Sequence, residues 1–478
     1  MVKSLKANYF FNLVNTGSQF LFPLITLPYA SRIMGPEGIG LVNFYQSIIS
    51  YIILIVGLGI PMYGIKAIAR VRDNKAQLSQ TTFEILLLHS GLTIIAYIIV
   101  ALLSVYVPQI NSNVFLFLLL SLSILFTTIG CDWFYKGIED FKYITVRGII
   151  VKSLAVIFLF TLVKDKQDII WYGLYCVVGT LGGNIFNFVR LQKFIEVKNL
   201  EINYKKVVRH LKPVFQIFIF SVVTSLYLNM NPIILGFLKG DAAVGYYSSG
   251  LKLFSIAVSI SGSLGVVMLP RVSYLLAEGK KEEFCNLTQK AYNYSLGISL
   301  PLCVLMIFLS PYAIRILCGH AFEPSIICAQ IMSPIVVFLA VSSLMGTQIL
   351  YPMGEIKIIN KYCATGAVID IFFSIIFVPL LAQLGTSIAY STTELAVMFL
   401  SIIASKKFIS INYLNKSVSH YIVGVIIMIV LLAILTNLQF NDFVMFAIIG
   451  TTGLLVYAVY LIIVKDQIIE SAFGFIHK

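Results

Sequence analysis

The chain is organised as long apolar runs separated by short polar segments. A helix that crosses about 30 Å of hydrocarbon needs about 20 mostly apolar residues. Fourteen such runs recur along the 478 residues, at positions 8–33, 40–65, 82–107, 114–131, 143–163, 168–189, 213–238, 242–269, 291–310, 325–350, 361–381, 384–404, 418–437 and 442–464. Because the connections are too short to hold a separate catalytic domain, the pattern predicts an all-α polytopic membrane protein with about 14 transmembrane helices.

The composition agrees with this pattern. Hydrophobic residues make up 59% of the chain and charged residues 12%, whereas soluble domains carry about 25% charged residues. The 34 Lys and Arg residues exceed the 21 Asp and Glu residues, which is compatible with either nucleic-acid binding or basic cytoplasmic loops. With both termini inside, 27 of these cations lie on the cytoplasmic side and 5 on the outer side, as the positive-inside rule requires. The basic excess therefore reflects topology, and nucleic-acid binding is excluded.

An internal repeat relates the two halves of the chain. The segment Gly35–Gly40 resembles Gly240–Gly245, 205 residues later, and each is predicted in an outer loop between the first and second helices of a six-helix unit. Similarly, Gly137–Glu139 and Gly354-Glu355 both follow a fourth helix. Since six is even, the units share one orientation, as in parallel-repeat transporters. We predict six-helix lobes at 1–205 and 206–410, two additional helices at 411–478, and a central cavity.

Polar side chains follow one face of several predicted helices. At membrane depth such groups face a bundle interior or a water-filled cavity. Hydrogen bonding between helices is the alternative explanation for any single Asn or Ser, but the stripes taken together favour a hydrated cavity. They occur in the first helix (Asn8, Asn12, Asn15, Gln19), the second (Asn43, Gln46, Ser50), the eighth (Ser248, Lys252, Ser255, Ser259) and the twelfth (Ser387, Tyr390, Glu394, Ser401).

Four charged residues lie deep within predicted helices, namely Lys152, Lys252, Asp370 and Glu394. A charge at the centre of a membrane helix costs about 2.5–3.5 kcal/mol, so each must be solvated in a cavity, paired or neutralised. Together with the polar stripes, these charges favour a water-filled cavity between the helices. Arg32 lies at the outer end of the first helix, either at the cavity mouth or at the interface. Snorkelling and an internal salt bridge are the alternatives for the buried charges.

We expect no metal or cofactor site. The seven cysteines form no CxxC pair, and the five histidines are scattered without metal-ligand spacing. The sequence carries no nucleophile–base signature. No cleavable signal peptide is expected, because the first apolar run is long enough to span a membrane and no small-residue cleavage site follows it.

Several characteristic segments occur in order over nearly the whole chain, namely Pro28–Gly40, Asp132–Gly137, Phe141–Thr145, Gly245–Lys252, Leu269–Ser273, Gln348–Gly354 and Glu394. Together they resemble the lipid-linked oligosaccharide (O-antigen type) flippases of the multidrug/oligosaccharidyl-lipid/polysaccharide exporter superfamily. Asp370 and Ser374 depart from this pattern, because asparagines are expected there; Asp370 could add ion coupling or pair with a lysine. In a transporter of this kind, Asp370 and Glu394 would be the candidates for proton or sodium coupling.

The resemblance implies a transporter with a cationic lumen and alternating access, not an enzyme. The substrate would be a polyprenyl-pyrophosphate-linked oligosaccharide, moved from the cytoplasmic to the outer leaflet of the bacterial inner membrane by a monomeric transport unit. Polysaccharide polymerase and chain-length machinery would be its protein partners. A cation-coupled multidrug extruder, disfavoured by the lysines, and a flippase for the peptidoglycan lipid precursor are the alternatives. The substrate-binding candidates are Lys152, Lys252, Arg32, Asn8, Asn12, Asn15, Asn43 and Ser255.

Overall fold

The chain divides into two compact units, Met1–Phe237 and Leu238–Lys478. The computed structural model describes residues 5–196, 200 and 204–466, and every regular element within these ranges is a helix. The lobe boundaries at 205/206 and 410/411 stay predictions. The two C-terminal helices belong to the second compact unit, where the Tyr457 hydroxyl donates to the backbone oxygen of Gly297 at 2.9 Å.

The first unit contains eleven of the labelled helices. The two ends of several helices are set by local backbone signals; for example, the Asn74 side chain accepts a hydrogen bond from the Gln77 amide and so caps α3. The helices are α1 (Leu5–Gly57), α2 (Ile60–Val71), α3 (Lys75–Tyr106), α4 (Pro108–Asn111), α5 (Val114–Gly130), α6 (Asp132–Gly137), α7 (Phe141–Leu162), α8 (Ile169–Leu181), α9 (Gly183–Leu191), α10 (Tyr204–Val208) and α11 (Leu211–Lys239).

The second unit is also helical throughout its described residues. Asn415 and Asn441 cap its last two helices by accepting hydrogen bonds from the amides of Val418 and Val444. The π-helical turn Leu344–Leu350 follows α15 directly. The helices are α12 (Asp241–Ala277), α13 (Lys281–Leu317), α14 (Pro324–Met332), α15 (Ile335–Ser343), α16 (Ile356–Ser405), α17 (Lys416–Leu435) and α18 (Asp442–Ile463).

Nine helices in the described ranges are long and apolar enough to cross a membrane, or ten if the bent pair formed by α8 and α9 is counted as one span. Two of the nine, α1 and α16, each cover two predicted spans. Helices α11 and α12 cover the seventh and eighth predicted spans. The protein is therefore an all-α, multi-pass membrane protein, and its helices are consistent with fourteen spans.

The surface of the long helices supports the same conclusion. On α3, Ile94, Ile98 and Val105 are each more than half exposed, although they are large and apolar. Such side chains are costly in water but favourable against lipid tails. Helices also extend beyond the predicted apolar runs. For example, α3 begins at Lys75, whereas the corresponding run begins at residue 82. A helix satisfies its own backbone hydrogen bonds, so it can continue past the hydrocarbon into the polar region.

The predicted outer loop at residues 35–40 is a single-residue break. Helix α1 continues through this segment, and only Gly35 leaves the helical conformation, with φ 65° and ψ −179°. The gap predicted between the eleventh and twelfth spans is likewise reduced to Ala382 within α16. Glycine alone readily adopts the Gly35 conformation. One such residue is enough to interrupt the helix, and for this reason the break between the two apolar runs is shorter in the structure than in the hydropathy pattern.

The backbone supports the internal repeat. Gly240, which lies 205 residues after Gly35, has nearly the same conformation, with φ 83° and ψ −177°. After the fourth predicted helix of each unit, the chain turns through a Schellman motif centred on Glu139 or Gly354, both with positive φ. The structural equivalent of Gly354 is therefore Glu139, two residues beyond the glycine that the sequence comparison aligned.

Candidate functional site

Helices α1 and α7 of the first unit form the contact that positions Lys152. The Thr145 hydroxyl donates to the backbone oxygen of Phe11 at 2.8 Å, and the Tyr29 hydroxyl donates to that of Val163 at 2.7 Å. Residue numbers rise together along both helices, so the helices are parallel. The predicted topology requires this direction, because both are odd-numbered spans.

Lys152 lies between these two contacts and is half-buried. Its ammonium group donates to the hydroxyl of Ser18 at 2.9 Å and lies 5.8 Å from the centre of the Phe22 ring. The Ser18 hydroxyl in turn donates to the backbone oxygen of Asn15 at 2.7 Å. The structure thus brings together Lys152 and the Asn15 part of the predicted polar stripe. A cation with an exchangeable serine partner is a suitable group for binding an anion.

The other predicted residues of the first unit have different environments. Asn43 has a buried side-chain nitrogen that meets no hydrogen-bond partner among the described residues. Arg32 is exposed and donates to the backbone oxygen of Pro28 on its own helix at 2.8 Å, which fits an interfacial position. The side chains of Asn8 and Asn12 lie outside the described part of the structure.

In the second unit, Lys252 and Ser255 lie on α12. Lys252 is half-buried, whereas Ser255 is exposed. The Ser255 hydroxyl donates to the backbone oxygen of Lys252 at 2.7 Å, and the Ser259 hydroxyl donates to that of Ser255 at 3.1 Å. Each hydroxyl keeps acceptor capacity, so this face of α12 can accept hydrogen bonds from sugar hydroxyls.

The two candidate ion-coupling acids lie in the two halves of α16, Asp370 before the break and Glu394 after it. The two halves of this helix, separated by the break at Ala382, pack against each other, and the Thr393 hydroxyl donates to a carboxylate oxygen of Asp370 at 3.3 Å. Asp370 and Glu394 are both fully buried. Gly366 lies directly against the Val397 side chain, and because glycine has no side chain, the two halves of α16 can pack closely here. A buried pair of acids in adjacent helical segments is an arrangement that can bind a proton or a small cation.

The structure also contains a buried charged cluster that the sequence analysis missed. The Glu84 carboxylate accepts hydrogen bonds from His210 at 2.8 Å and from Arg209 at 2.8 Å, and the Tyr63 hydroxyl lies 2.5 Å from the other nitrogen of His210. Glu84 stands two residues after the start of the predicted span 82–107, so it does not stand out in the sequence as a charge deep within a helix. An acid inside an apolar run followed by a downstream histidine is the signal that could have identified the cluster.

A polar cavity of about 430 Å³ lies in the second unit beside the start of α17. The Asn412 amide donates to the Gln289 side chain at 2.8 Å, and the Asn415 side chain donates to Asn293 at 2.8 Å. These bonds fix the segment before α17 on α13, which is a structural role. Within the described ranges, no group of three or more His, Cys, Asp or Glu side chains could hold a metal ion.

The family of the chain is shown by its sequence. The family model described as polysaccharide biosynthesis protein matches residues 5–276, more than half of the chain. The chain belongs to this family. A second family model, MatE, matches residues 216–376. The resemblance to polysaccharide transporters stated from the sequence motifs is thereby confirmed.

Relatives match over most of the chain. A protein of Escherichia coli (strain K12) described as an O-antigen transporter is 23% identical over 394 residues, which are 82% of this chain and 95% of that protein. A protein of Shigella dysenteriae with the same description is 25% identical over 402 residues, covering 84% of this chain and 100% of that protein. The capsular polysaccharide biosynthesis protein CapF of Staphylococcus aureus is 24% identical over 406 residues, covering 83% of this chain and 97% of that protein.

Solved structures share the fold. The lipid II flippase MurJ in its inward closed conformation has a TM-score of 0.76 at 17% identity, and the match covers 96% of this chain and 100% of that chain. An inward-facing multidrug resistance MATE family transporter of the MOP superfamily has a TM-score of 0.64 at 15% identity, covering 81% of this chain and 94% of that chain. The fold class expected from the apolar runs is therefore confirmed.

One motif that carries the family resemblance has a structural role in the first unit. The Asn187 side chain donates to Asp132 at 2.8 Å and to the backbone oxygen of Gly130 at 2.6 Å, while the Tyr135 hydroxyl donates to the backbone of Asn187 at 2.6 Å. Trp133 packs directly on Gly64, where a Cβ atom would lie 2.7 Å from the indole ring. The segment Asp132–Gly137 therefore fixes α6 against α2 and α9.

Proposed function

We propose that the chain is a flippase that moves a polyprenyl-pyrophosphate-linked oligosaccharide from the cytoplasmic to the outer leaflet of a bacterial inner membrane. The observation that carries this proposal is the similarity to two O-antigen transporters over more than four fifths of the chain and nearly their entire length. The fold of a lipid-precursor flippase over 96% of the chain is compatible with it.

The side chains of the first unit supply the chemistry that this substrate needs. A sugar chain cannot cross hydrocarbon without hydrogen-bond partners, and a pyrophosphate cannot cross without positive charge. The ammonium group of Lys152 lies between two largely apolar helices, where it donates to the hydroxyl of Ser18 at 2.9 Å. A phosphate oxygen can replace this serine and form a stronger, charge-assisted bond. Lys152 is thus the group expected to bind pyrophosphate.

Further polar groups are proposed to bind the sugars. In the first unit, the unsatisfied amide nitrogen of Asn43 is a hydrogen-bond donor for a sugar hydroxyl. In the second unit, Ser255 offers an acceptor, and Lys252 supplies a second positive charge. A cationic cavity that includes both lysines, with alternating access to the two membrane faces, remains the prediction made from the sequence.

The membrane potential supplies a driving force for this direction of transport. Moving one charge across 100 mV is worth about 2.3 kcal/mol, so export of about two negative charges from an inside-negative cell yields about 4–5 kcal/mol. Exchange of a proton or sodium ion at Asp370 and Glu394 is the competing mechanism, which would make the protein an antiporter. The complete burial of both acids is compatible with such a site.

Reconstitution into liposomes tests the proposal. The substrate is a fluorescent polyprenyl-pyrophosphate oligosaccharide, and a membrane-impermeant quencher measures the fraction that reaches the outer leaflet. We expect flipping that depends on an inside-negative potential and is abolished in a Lys152→Ala, Lys252→Ala double variant. Absence of flipping by the folded wild-type protein with several oligosaccharides would contradict the proposal.

The same assay separates the alternatives. Flipping of the peptidoglycan lipid precursor alone would identify a precursor flippase, and transport of a cationic dye alone would identify a multidrug extruder. If flipping ignores the potential but stops when a cation gradient is collapsed, and Asp370→Asn has the same effect, ion exchange replaces the potential as the driving force. The proposal also includes cytoplasmic termini, which protease accessibility in inside-out vesicles tests. It further includes contacts with polymerase and chain-length proteins, which crosslinking tests.

A further inference from the structure

A buried cluster in the first unit joins three segments that are distant in sequence. We define the Glu84 cluster as Tyr63 of α2, Glu84 of α3, and Arg209 and His210, which immediately precede α11. Glu84 accepts from His210 and from Arg209 at 2.8 Å each, through the same carboxylate oxygen. Its other oxygen accepts from Gln80 at 2.9 Å. The carboxylate is therefore fully satisfied, which explains how an acid can be buried in an apolar helix bundle.

Burial differs sharply among the members of the cluster. The side chains of Glu84 and His210 are only 1% and 5% exposed, whereas that of Arg209 is 57% exposed. Tyr63 is partly exposed and packs edge-on against the His210 ring at 5.5 Å between centroids. The imidazole thus lies between a buried carboxylate and the hydroxyl of a partly exposed tyrosine.

The hydrogen bonds of His210 are compatible with both of its charge states. In the neutral ring, Nε2–H donates to Glu84 and Nδ1 accepts from the Tyr63 hydroxyl, 2.5 Å away. In the protonated ring, both nitrogens donate, and the tyrosine oxygen accepts instead. Because the hydroxyl can reverse its role, His210 can take up a proton without losing a hydrogen bond. Histidine ordinarily titrates near pH 6.5, and a tyrosine hydroxyl stays protonated until about pH 10.

The charges around the imidazole act in opposite directions. The Glu84 carboxylate favours the imidazolium ion, while Arg209 opposes it; Arg70 on α2 acts on Tyr63 from farther away. With neutral His210, the Glu84 and Arg209 charges cancel. With protonated His210, the cluster gains one net positive charge. The partial exposure of Arg209 moderates its repulsion, because solvent screens it.

The cluster also holds the connection that leads to α11. Before the undescribed residues of this connection, Glu196 pairs with Lys75 at 2.7 Å, and its amide donates to the Ser79 hydroxyl at 3.0 Å. Both partners lie on α3, upstream of Glu84. The backbone oxygen of His210 accepts the first hydrogen bond of α11, from Val214 at 3.1 Å. The strength of the Glu84–His210 bond therefore bears directly on how firmly the start of α11 is attached to α3.

We propose that the Glu84 cluster is a proton-binding site in which His210 takes up the proton, held between Glu84 and Tyr63. The proton reaches the ring along the side of Tyr63, the partly exposed neighbour that is hydrogen-bonded to Nδ1. Its binding makes the bond to Glu84 charge-assisted and thus tightens the attachment of α11. This site is separate from Asp370 and Glu394. Its existence does not depend on the identity of the transported substrate.

Nuclear magnetic resonance of the full-length protein in lipid nanodiscs, with ring-labelled histidine, tests proton binding directly. We expect the ring signals of His210, assigned from the His210→Gln variant, to change with pH as the ring takes up a proton, with a midpoint that can be compared between variants. In Glu84→Gln the midpoint should fall by about 1 pH unit or more, because the neighbouring opposite charge is lost. His320, which is 78% exposed, serves as a reference within the same spectra and should keep its midpoint. A His210 signal that is invariant from pH 4 to 9 overturns the proposal.

Tyr63→Phe provides a second test if Glu84→Gln does not fold. This change removes the hydroxyl and keeps the ring that packs on His210. We expect a lower midpoint, since the charged Nδ1–H then lacks its acceptor, and an unpaired charged donor costs more than an unpaired neutral nitrogen. The matched control is Tyr97→Phe, which removes another hydroxyl bonded within the first unit, to the Ser121 backbone at 3.1 Å. Equal midpoints in Tyr63→Phe and in Tyr97→Phe would show that Tyr63 does not hold the proton.

Amide hydrogen exchange tests the predicted consequence for α11. After correction for the intrinsic pH dependence of exchange, amides 209–215 should be better protected at pH 5 than at pH 8. The difference should disappear in His210→Gln, which cannot be protonated. Protection that is independent of pH in the wild-type protein would overturn the proposed link to α11.

Discussion

The Lys152→Met substitution should separate the stability of the protein from its transport activity. Helix α7 has 22 residues and is therefore about 33 Å long, and Lys152 lies about 17 Å from its start. This position is the middle of the membrane-spanning segment. Methionine keeps most of the length of the side chain and removes the ammonium group, so the change affects mainly the charge.

The magnitude follows from two opposing contributions. A lysine at the centre of a membrane helix costs about 2.5–3.5 kcal/mol, and a hydrogen bond to a charged group, such as the one to Ser18 at 2.9 Å, contributes about 1.5–3 kcal/mol. The variant loses both, so we expect it to be as stable as the wild type or up to about 2 kcal/mol more stable. If the ammonium group binds phosphate, losing a contact of about 1.5–3 kcal/mol should slow transport about 10- to 100-fold.

The assay combines thermal unfolding in nanodiscs with flipping in liposomes. Lys152→Arg is the charge-preserving comparison and should retain more transport than Lys152→Met. Lys142→Met is the matched control, because Lys142 lies exposed in the first turn of the same helix and should tolerate the loss of its charge. Unchanged transport in Lys152→Met, or a loss of transport that parallels a loss of stability, would refute the role assigned to Lys152.

Two further predictions concern backbone conformation and pH. Gly240→Ala should lower the free energy of unfolding by about 1–3 kcal/mol, because φ 83° with ψ −177° is accessible essentially to glycine alone. The control is Gly91→Ala in α3, which should not be destabilising. Neither glycine has an atom within 4 Å of the added Cβ, so equal effects of the two substitutions on the unfolding temperature would contradict this reasoning. Hydrogen bonds from His320 and Arg315 hold the pKa of the Glu323 carboxyl below its usual value, so its contribution to stability is present at neutral pH and is lost as the pH falls through that lowered pKa. The difference in unfolding temperature between the wild type and Glu323→Gln should therefore shrink as the solution is acidified, and a difference that is independent of pH would be evidence against this ion pair.

The breaks in the long helices show where the sequence pattern reaches its limit. The hydropathy pattern separates two apolar runs on either side of residues 35–40, but it cannot tell a loop from a single glycine with positive φ. The repeat made the correct comparison between Gly35 and Gly240, because glycine at both positions permits the same backbone conformation. It aligned Gly354 with Gly137 instead of Glu139, because residue identity does not show which residue occupies the left-handed position.

The candidate site could be predicted only in part, because the sequence shows which residues are charged within an apolar run but not which side chains pair with them. Lys152 and Asp370 stand out because a charge in an apolar run is expensive wherever it lies, and this cost can be read from one segment alone. The partners Ser18 and Thr393 were not predicted, since ordinary hydroxyl residues carry no such signal. Glu84 was missed because it lies at the start of an apolar run, and nothing in that run indicates its partner His210, which is 126 positions away.

The sequence by itself determined that this chain crosses the membrane many times and to which family it belongs, and it predicts which loops are cytoplasmic. These properties depend on the transfer free energy of single segments, on loop charge and on motifs, all of which are local. Only the tertiary structure decided which polar groups meet. It placed Lys152 on Ser18, Thr393 on Asp370, and Glu84 on His210, because such pairs depend on how helices pack and not on the composition of any one of them.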